Sequence, residues 1–152
     1  MREILFRGKE IKTGKWVYGC FYYCKGTAYG ATFIVVNDFG FIEVIPHTVG
    51  QYTGLTDKNG VKIFEGDIIK EDCGYEYQIG VVAFGDGYYD GGVCPFRGWF
   101  IDKFTLVRED EENDEDNFVF ACDDHNSLLL IADEFEVIGN IYDNKDLLKE
   151  EV

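Results

Sequence analysis

Hydrophobic positions along the chain fall into short runs of β-branched and aromatic residues, each bounded by residues that favour turns. The clearest runs are 3–7, 16–23, 32–36, 41–45, 64–70 and 78–84. Runs of this length and composition are typical of all-β folds. Asn59-Gly60 is the strongest turn signal, because this pair tolerates the positive φ angles of a type I′ turn. The pattern therefore predicts a mainly β protein.

The later part of the chain is less regular. Glycine and aromatic residues mix without a period over 85–98, which predicts a long exposed loop. Residues 99–107 and 118–122 predict two further strands. Residues 127–132 fit either a buried strand or a helical turn, because periodicity does not separate the two at this length.

The chain ends in the one helix that the sequence predicts, over 143–151. Asp143 or Asn144 would accept hydrogen bonds from its first N–H groups, and Leu147 and Leu148 would anchor it.

The pattern after residue 63 is typical of the start of a small SH3-like barrel. Gly66-Asp67 enters an apolar strand, and the Gly-Val-Val-x-Phe sequence of 80–84 follows after a short excursion. We therefore predict a β-rich single domain with an SH3-like, partly open barrel and a short C-terminal helix. The predicted parts are a single domain 1–152, an N-terminal strand subdomain 1–48, a barrel-like part 49–142 and the helix 143–151.

Composition and charge narrow the classes of partner. Of the 152 residues, 46% are hydrophobic and 28% are charged, which excludes a disordered chain. Fourteen basic and 29 acidic residues give a formal charge of −15, which slows approach to nucleic acid and anionic membranes and favours basic partners. Residues 1–25 nevertheless carry +4, and the rest of the chain −19. The seven acidic residues of 109–116 indicate a solvated, mobile loop.

The sequence predicts a cytoplasmic protein that does not cross a membrane. Five cysteines do not form a fully paired set, and the first residues do not resemble a signal peptide, so we expect a reducing compartment. The longest stretch without a formal charge, 44–56, is too short and too polar to span a bilayer.

Sequence motifs for catalysis and cofactor binding are missing. The chain contains no Gly-x-x-x-x-Gly-Lys-Ser/Thr loop and no Gly-x-Ser-x-Gly elbow. Cys20 and Cys24 lie four residues apart in a strand-like run, where half-buried thiols are favoured over a zinc site. Residues 122–125, Cys-Asp-Asp-His, mix metal-ligand types, but a polar turn is favoured there. We expect no cofactor and no metal, and we favour a non-enzymatic role.

Residues 49–69, VGQYTGLTDKNGVKIFEGDII, closely resemble the signature of the YopX family of bacteriophage and prophage proteins. The remaining matches to the family are residues 2–8, 14–19 and 136–144, followed by Leu147-Leu148. The resemblance therefore spans nearly the whole chain. One departure is Lys145, where the family commonly has a proline at the start of its final helix.

The resemblance implies a phage-encoded or prophage-encoded protein of the bacterial cytoplasm, with a β-rich fold and self-association. It implies no particular reaction, so we assign no catalytic residue. The leading hypothesis is a non-enzymatic module that binds itself, or a basic host or phage protein, through its acidic surface and the aromatic segment 85–98.

Two alternatives stay open. The first is binding or processing of a small molecule or phosphate ester at the signature. Its candidate polar residues are Gln51, Tyr52, Thr53, Asp57, Glu65 and Asp67. We favour a role for these side chains in locking the hairpin at Asn59-Gly60 over a role in ligand binding. The second alternative, which the net charge disfavours, is nucleic-acid binding through the basic residues of 1–25.

Overall fold

The structure is a computed structural model that describes residues 3–27, 30–37, 40–72, 76–89, 94–108 and 132–148. The predicted mainly β fold is confirmed, because the described residues form antiparallel strands in two sheets. The predicted strand 118–122, the acidic block 109–116, the polar turn 122–125 and most of the ambiguous segment 127–132 lie outside the described residues.

The strands are β1 (Phe6–Lys9), β2 (Trp16–Thr27), β3 (Gly30–Asn37), β4 (Gly40–Glu43), β5 (Gly50–Thr56), β6 (Lys62–Phe64), β7 (Asp67–Asp72), β8 (Glu76–Tyr89), β9 (Cys94–Arg108) and β10 (Phe135–Asn140). Two 3-10 helices, Pro46–Thr48 and Lys145–Leu147, follow β4 and β10. No helix in these described ranges is long and apolar enough to cross a membrane. The chain divides into two compact units, residues 1–54 and 55–152, here named the N-terminal unit and the C-terminal unit.

In the N-terminal unit, antiparallel strands follow the order β4-β3-β2-β1-β5. Close packing on β1 requires a glycine, since a Cβ at Gly8 would lie 3.0 Å from the side chain of Val44, which is buried. The first 3-10 helix is held on the same strand, because the N–H of Lys9 donates to Oγ1 of Thr48 at 2.9 Å. The packing of this unit is therefore organised around β1.

The C-terminal unit contains a second sheet, in the order β10-β7-β8-β9, and the main core cluster. The buried residues of that core are Ile63, Ile69, Val82, Trp99, Ile101, Ala132 and Phe135. Alternation along the strands supplies several of them: Val82 on β8 lies opposite Ile101 on β9, and Ile69 comes from the neighbouring β7. The core thus forms on one face of this sheet.

The predicted exposed loop over 85–98 is wrong. β8 and β9 stay paired as far as Tyr89 opposite Cys94, so only four residues connect them. The glycines of 85–98 made this segment resemble a loop in the sequence. In the structure the ring of Phe100 comes within 3.3 Å of the position that a Cβ on Gly85 would occupy. An aromatic ring laid over a strand glycine compensates for the missing side chain, which allows the hairpin to continue.

The SH3-like, partly open barrel is not confirmed, because neither sheet closes on itself among the residues described. The helix predicted over 143–151 is not confirmed either, since its described part forms only the 3-10 helix Lys145–Leu147. Asn144 does not cap that helix; its Oδ1 accepts from the N–H of Asn140 at 3.2 Å. Oδ1 of Asn140 accepts from two N–H groups that follow it. These asparagines build a turn where the sequence predicted a helix start.

Truncation of Phe135 should destabilise the C-terminal unit. Phe135 is 0% exposed, so Phe135→Ala should lower the free energy of unfolding by about 3–5 kcal/mol through loss of burial and the cavity left behind. Chemical denaturation followed by circular dichroism measures this loss. Phe41→Ala is the matched control, because Phe41 is 69% exposed and its truncation should cost less than about 1 kcal/mol. Equal losses in both variants would contradict the placement of the core.

Candidate functional site

The first turn of the signature is built around the carboxylate of Asp57. Its Oδ1 accepts hydrogen bonds from the N–H groups of Asn59 and Val61, both at 2.8 Å. Its Oδ2 accepts from the N–H of Val137 at 3.0 Å. Asp57 is 5% exposed. One buried carboxylate therefore joins the turn 57–61 to β10, 80 residues further along the chain.

The second turn of the signature is closed by Asp67. Its Oδ2 accepts from the N–H of Phe64 at 2.7 Å, and the residue is buried. Gly66, between them, has a φ of +80°, a conformation that favours glycine. The N–H of Gly66 donates to the carbonyl of Val82 at 2.8 Å, and its carbonyl accepts from the N–H of Ile141 at 3.0 Å. The turn is therefore fixed to two other segments of the C-terminal unit.

The other four candidates of the signature differ in burial. Gln51, Tyr52 and Thr53 lie on β5 in the N-terminal unit, where Gln51 is half-buried and the other two are buried. Glu65 is half-buried in the turn that Asp67 closes. The structure thus places three candidates in each unit. The bonded oxygens of Asp57 and Asp67 have the geometry of turn locks, since backbone N–H groups occupy them.

The outer part of the β8–β9 hairpin carries aromatic rings on both of its faces. On one face, Phe84 is 50% exposed and its ring packs edge-to-face against Trp99, with centroids 5.0 Å apart. On the other face, the half-buried rings of Phe96 and Phe100 lie edge-to-face at 6.3 Å. The three partly exposed residues Phe84, Phe96 and Phe100 are named the aromatic arm, whereas Trp99 is 4% exposed and belongs to the core. The sequence indicated their composition, but not their arrangement on a paired hairpin.

The aromatic arm lies where the hairpin leaves the core. Val82 and Ile101, one step inward on the same face as Phe84, are almost fully buried. Asp86 and Arg97, one step outward, form an ion pair at 3.5 Å with side chains 73% and 71% exposed. Side-chain burial therefore falls steeply along the hairpin, and the aromatic arm lies between its buried part and its exposed part.

A second aromatic surface lies on the N-terminal sheet. Alternate residues of β2 include the half-buried Trp16, then Tyr18 and Tyr22, which are 47% and 51% exposed. Phe41 on β4, 69% exposed, brings its ring to 5.9 Å from that of Tyr22 in an edge-to-face arrangement. These four residues are named the β2 face. The sequence analysis missed it, although alternation of rings within 16–23 was the available signal.

Basic side chains lie around the Trp16 end of the β2 face. The guanidinium carbon of Arg7 is 4.7 Å, and the ammonium nitrogen of Lys9 5.6 Å, from the centroid of the Trp16 ring. Both distances are within the range of cation–π attraction. Lys12 and Lys15 are exposed in the connection between β1 and β2. Aromatic surface and positive charge therefore coincide here.

Charge is divided unevenly between the two units. Residues 1–54 contain six basic and four acidic residues, for a formal charge of +2. Residues 55–152 contain eight basic and 25 acidic residues, for −17. The acidic excess of the protein thus belongs entirely to the C-terminal unit.

The carboxylates of Glu71 and Glu134 repel each other at one end of the C-terminal sheet. Burial raises the pKa of Glu71 above its ordinary value, and the nearby negative charge of Glu134 raises it further. Glu71 lies on β7 opposite Phe135, the residue that follows Glu134. Ionisation of Glu71 therefore carries a cost in the folded protein that it does not carry in the unfolded chain.

Potential metal ligands are scattered in the part of the chain that the structure describes. No three His, Cys, Asp or Glu side chains come together there. Cys20 and Cys24 are free thiols on β2, the first exposed and the second half-buried.

Comparisons with known proteins bear on the resemblance seen in the signature. A family model described as YopX protein matches residues 5–149. The resemblance to this family is therefore confirmed. No curated protein matches the chain. Among solved structures, the chain is similar to the crystal structure of protein EF1440 from Enterococcus faecalis. The two are 21% identical with a TM-score of 0.42, and the match covers 98% of this chain and 100% of that one.

Replacement of Asp57 should detach the first turn from β10. In Asp57→Ala three N–H groups lose their acceptor, so the free energy of unfolding should fall by about 3 kcal/mol or more. Asp57→Asn should cost less, because its amide oxygen still accepts from Asn59 and Val61. Thermal and chemical denaturation measure both variants. Asp86→Asn, at an exposed carboxylate, serves as the control; an Asp57→Ala protein as stable as this control would refute the role assigned to Asp57.

Glu71→Gln should stabilise the protein at neutral pH. Because the folded-state pKa of Glu71 is raised, the folded protein binds more protons than the unfolded chain between the ordinary value of 4.5 and the raised pKa. The wild type therefore loses stability from this group as pH rises through that window. Urea denaturation at a series of pH values should show the advantage of Glu71→Gln at pH 7 shrinking below pH 4.5. A wild type that is more stable than the variant at pH 7 would contradict this sign.

Proposed function

The chain belongs to the YopX family, and we propose that it is a non-enzymatic module that binds another protein, or a second copy of itself, through the aromatic arm. We also propose that it is encoded by a phage or prophage and acts in the bacterial cytoplasm. The observation that carries the proposal is the aromatic arm itself, in which rings stay on both faces of a hairpin that is leaving the core.

The arm has the physical character of a contact surface. A two-stranded hairpin is marginally stable alone in water, so a segment beyond the core gains from being covered. Aromatic side chains bury large areas and dominate the binding energy of protein interfaces. The exposed ion pair of Asp86 and Arg97 contributes little to stability, but it suits the polar rim of an interface. These features together favour a protein partner.

Charge indicates which partner would bind. The C-terminal unit that contains the arm has a formal charge of −17. A field of this sign accelerates encounter with a basic surface and opposes acidic ones. A basic host or phage protein therefore suits the arm, and self-association would need enough apolar contact to overcome the repulsion between copies.

The geometry of the signature supports a non-enzymatic role. Backbone N–H groups occupy both carboxylate oxygens of Asp57 and one of Asp67. A general acid or base must instead lie within hydrogen-bond reach of its substrate. Of the other candidates for small-molecule or phosphate-ester binding, Tyr52 and Thr53 are buried, and Gln51 and Glu65 are half-buried. We therefore do not adopt that alternative.

The test compares the wild type with Phe84→Ala and Phe96→Ala. Sedimentation over a range of concentrations measures self-association, and affinity capture from host lysate at low and high salt measures partner binding. The wild type should form either a complex with itself or a complex with a partner protein. Each arm variant should weaken that complex about tenfold or more. Ile4→Ala, at a residue of the other unit that is 67% exposed and belongs to neither named surface, should leave it unchanged. A wild type that forms neither kind of complex, or arm variants that keep it, would overturn the proposal.

A further inference from the structure

We propose that the β2 face of the N-terminal unit binds single-stranded nucleic acid, a function separate from the protein contact proposed for the aromatic arm. Sites for single strands combine rings on which bases stack with positive charge that tracks the phosphates. The β2 face contains both features, on residues of one unit.

The rings are arranged along one strand in a row. Trp16, Tyr18 and Tyr22 share one side of β2 because strand residues alternate between faces, and successive positions on that side are roughly 7 Å apart. Cys20 occupies the position between the two tyrosines, where a small side chain leaves space for a base. About half of each tyrosine is exposed. A flexible strand can therefore place successive bases on these rings.

Phe41 widens the surface across the sheet. It is 69% exposed, and it meets Tyr22 edge-to-face at 5.9 Å. Two rings in this arrangement form a corner, in which a base can stack on one ring and touch the edge of the other. Stacking of this kind tolerates any sequence because every base has a π face. We therefore expect binding with little sequence preference.

The positive charge lies at the Trp16 end of the row. Lys9 lies against the Trp16 ring, and the exposed Lys12 and Lys15 follow in the adjacent connection. The same connection contains one acidic residue, Glu10, whose carboxylate accepts a hydrogen bond from the hydroxyl of Thr13 at 2.6 Å. The three lysines outnumber it. The Trp16 ring is in contact with the cations of Arg7 and Lys9. Lysine side chains at this end can therefore neutralise phosphates while bases lie on Tyr18 and Tyr22. The Trp16 end therefore supplies the electrostatic part of the site.

Negative charge limits where the strand can lie. Glu43 is exposed on β4 on the same side of the sheet as Tyr22, because both lie in register with Ile34 on β3. Its carboxylate would repel phosphates near Tyr22, so the phosphate backbone should lie nearest the lysines at the Trp16 end. The net charge of −15 opposes binding at long range, but 0.15 M salt screens exposed charges beyond about 8 Å.

The rings distinguish a single strand from other polyanions. A duplex keeps its bases stacked on each other, so it offers the tyrosines no free base faces. An acidic peptide could neutralise the lysines, but it would bring no flat rings to Tyr18 or Tyr22. Exposed aromatic residues beside lysines therefore favour single-stranded nucleic acid over both.

Fluorescence anisotropy with labelled single-stranded oligonucleotides, on the full chain at 50 mM and 200 mM salt, tests the proposal. Tyr18→Ala and Tyr22→Ala should each weaken binding about tenfold, as loss of a stacking ring does elsewhere. The matched control is Tyr23→Ala, because Tyr23 is 44% exposed on the opposite face of the same strand, and it should change binding less than twofold. Replacing Lys12 and Lys15 by Gln should reduce the slope of log K against log salt by about 1.4.

Three outcomes would overturn the proposal. The first is that the wild type binds no single strand at 50 mM salt, although circular dichroism confirms that it is folded. The second is binding that Tyr22→Ala and Tyr23→Ala weaken equally. The third is polyglutamate or duplex DNA binding as tightly as the single strand, which would make the face a general anion surface. Phe84→Ala in the aromatic arm should leave oligonucleotide binding intact, which separates this test from that of the protein contact.

Discussion

The buried carboxylate of Asp57 is the interaction on which the C-terminal unit depends most. A buried charge is costly unless hydrogen bonds compensate for its lost hydration, and three backbone N–H groups do so here. The N–H of the next residue, Lys58, donates to the carbonyl of Phe135 at 2.9 Å. The turn therefore fixes the start of β10, and Phe135 on that strand fills the core. One local turn thus orders a segment that is distant in sequence.

Local signals in the sequence were enough for the fold class and for the first turn of the signature. Asn59-Gly60 marks that turn, and Gly60 adopts a φ of +80°. The acceptor role of Asp57 toward its own turn is also a local property of aspartate. Its bond to Val137 is not, because nothing in the residues around 57 indicates which distant strand will supply the third N–H group.

The loop predicted over 85–98 is wrong and the final helix is not confirmed, because local signals were given more weight than contacts with other segments. Glycine content suggested a loop over 85–98, but cross-strand register and the ring of Phe100 over Gly85 extend the hairpin through it. The sequence also indicated a final helix, whereas Asn140 and Asn144 use their side chains to close a turn after β10. In both cases the deciding contact comes from a side chain that short-range patterns do not place.

The two units present aromatic surface in different electrostatic settings. Rings on the N-terminal sheet lie beside cations in a unit of charge +2, while rings on the hairpin arm belong to a unit of charge −17. Since approach is governed by the sign of the local field, such surfaces select different partners. The division in charge therefore accompanies the two separate contacts proposed for the aromatic arm and the β2 face.

Amide hydrogen exchange at Asn59, Val61 and Val137 tests the role of Asp57 most directly. If the carboxylate holds all three N–H groups, they should exchange slowly and together, at rates close to that of an amide in the core strand β7. Exchange of Val137 at the rate of an unstructured peptide, with the turn amides protected, would show that Asp57 locks only its own turn. That result would contradict the claim that this carboxylate joins the signature to β10.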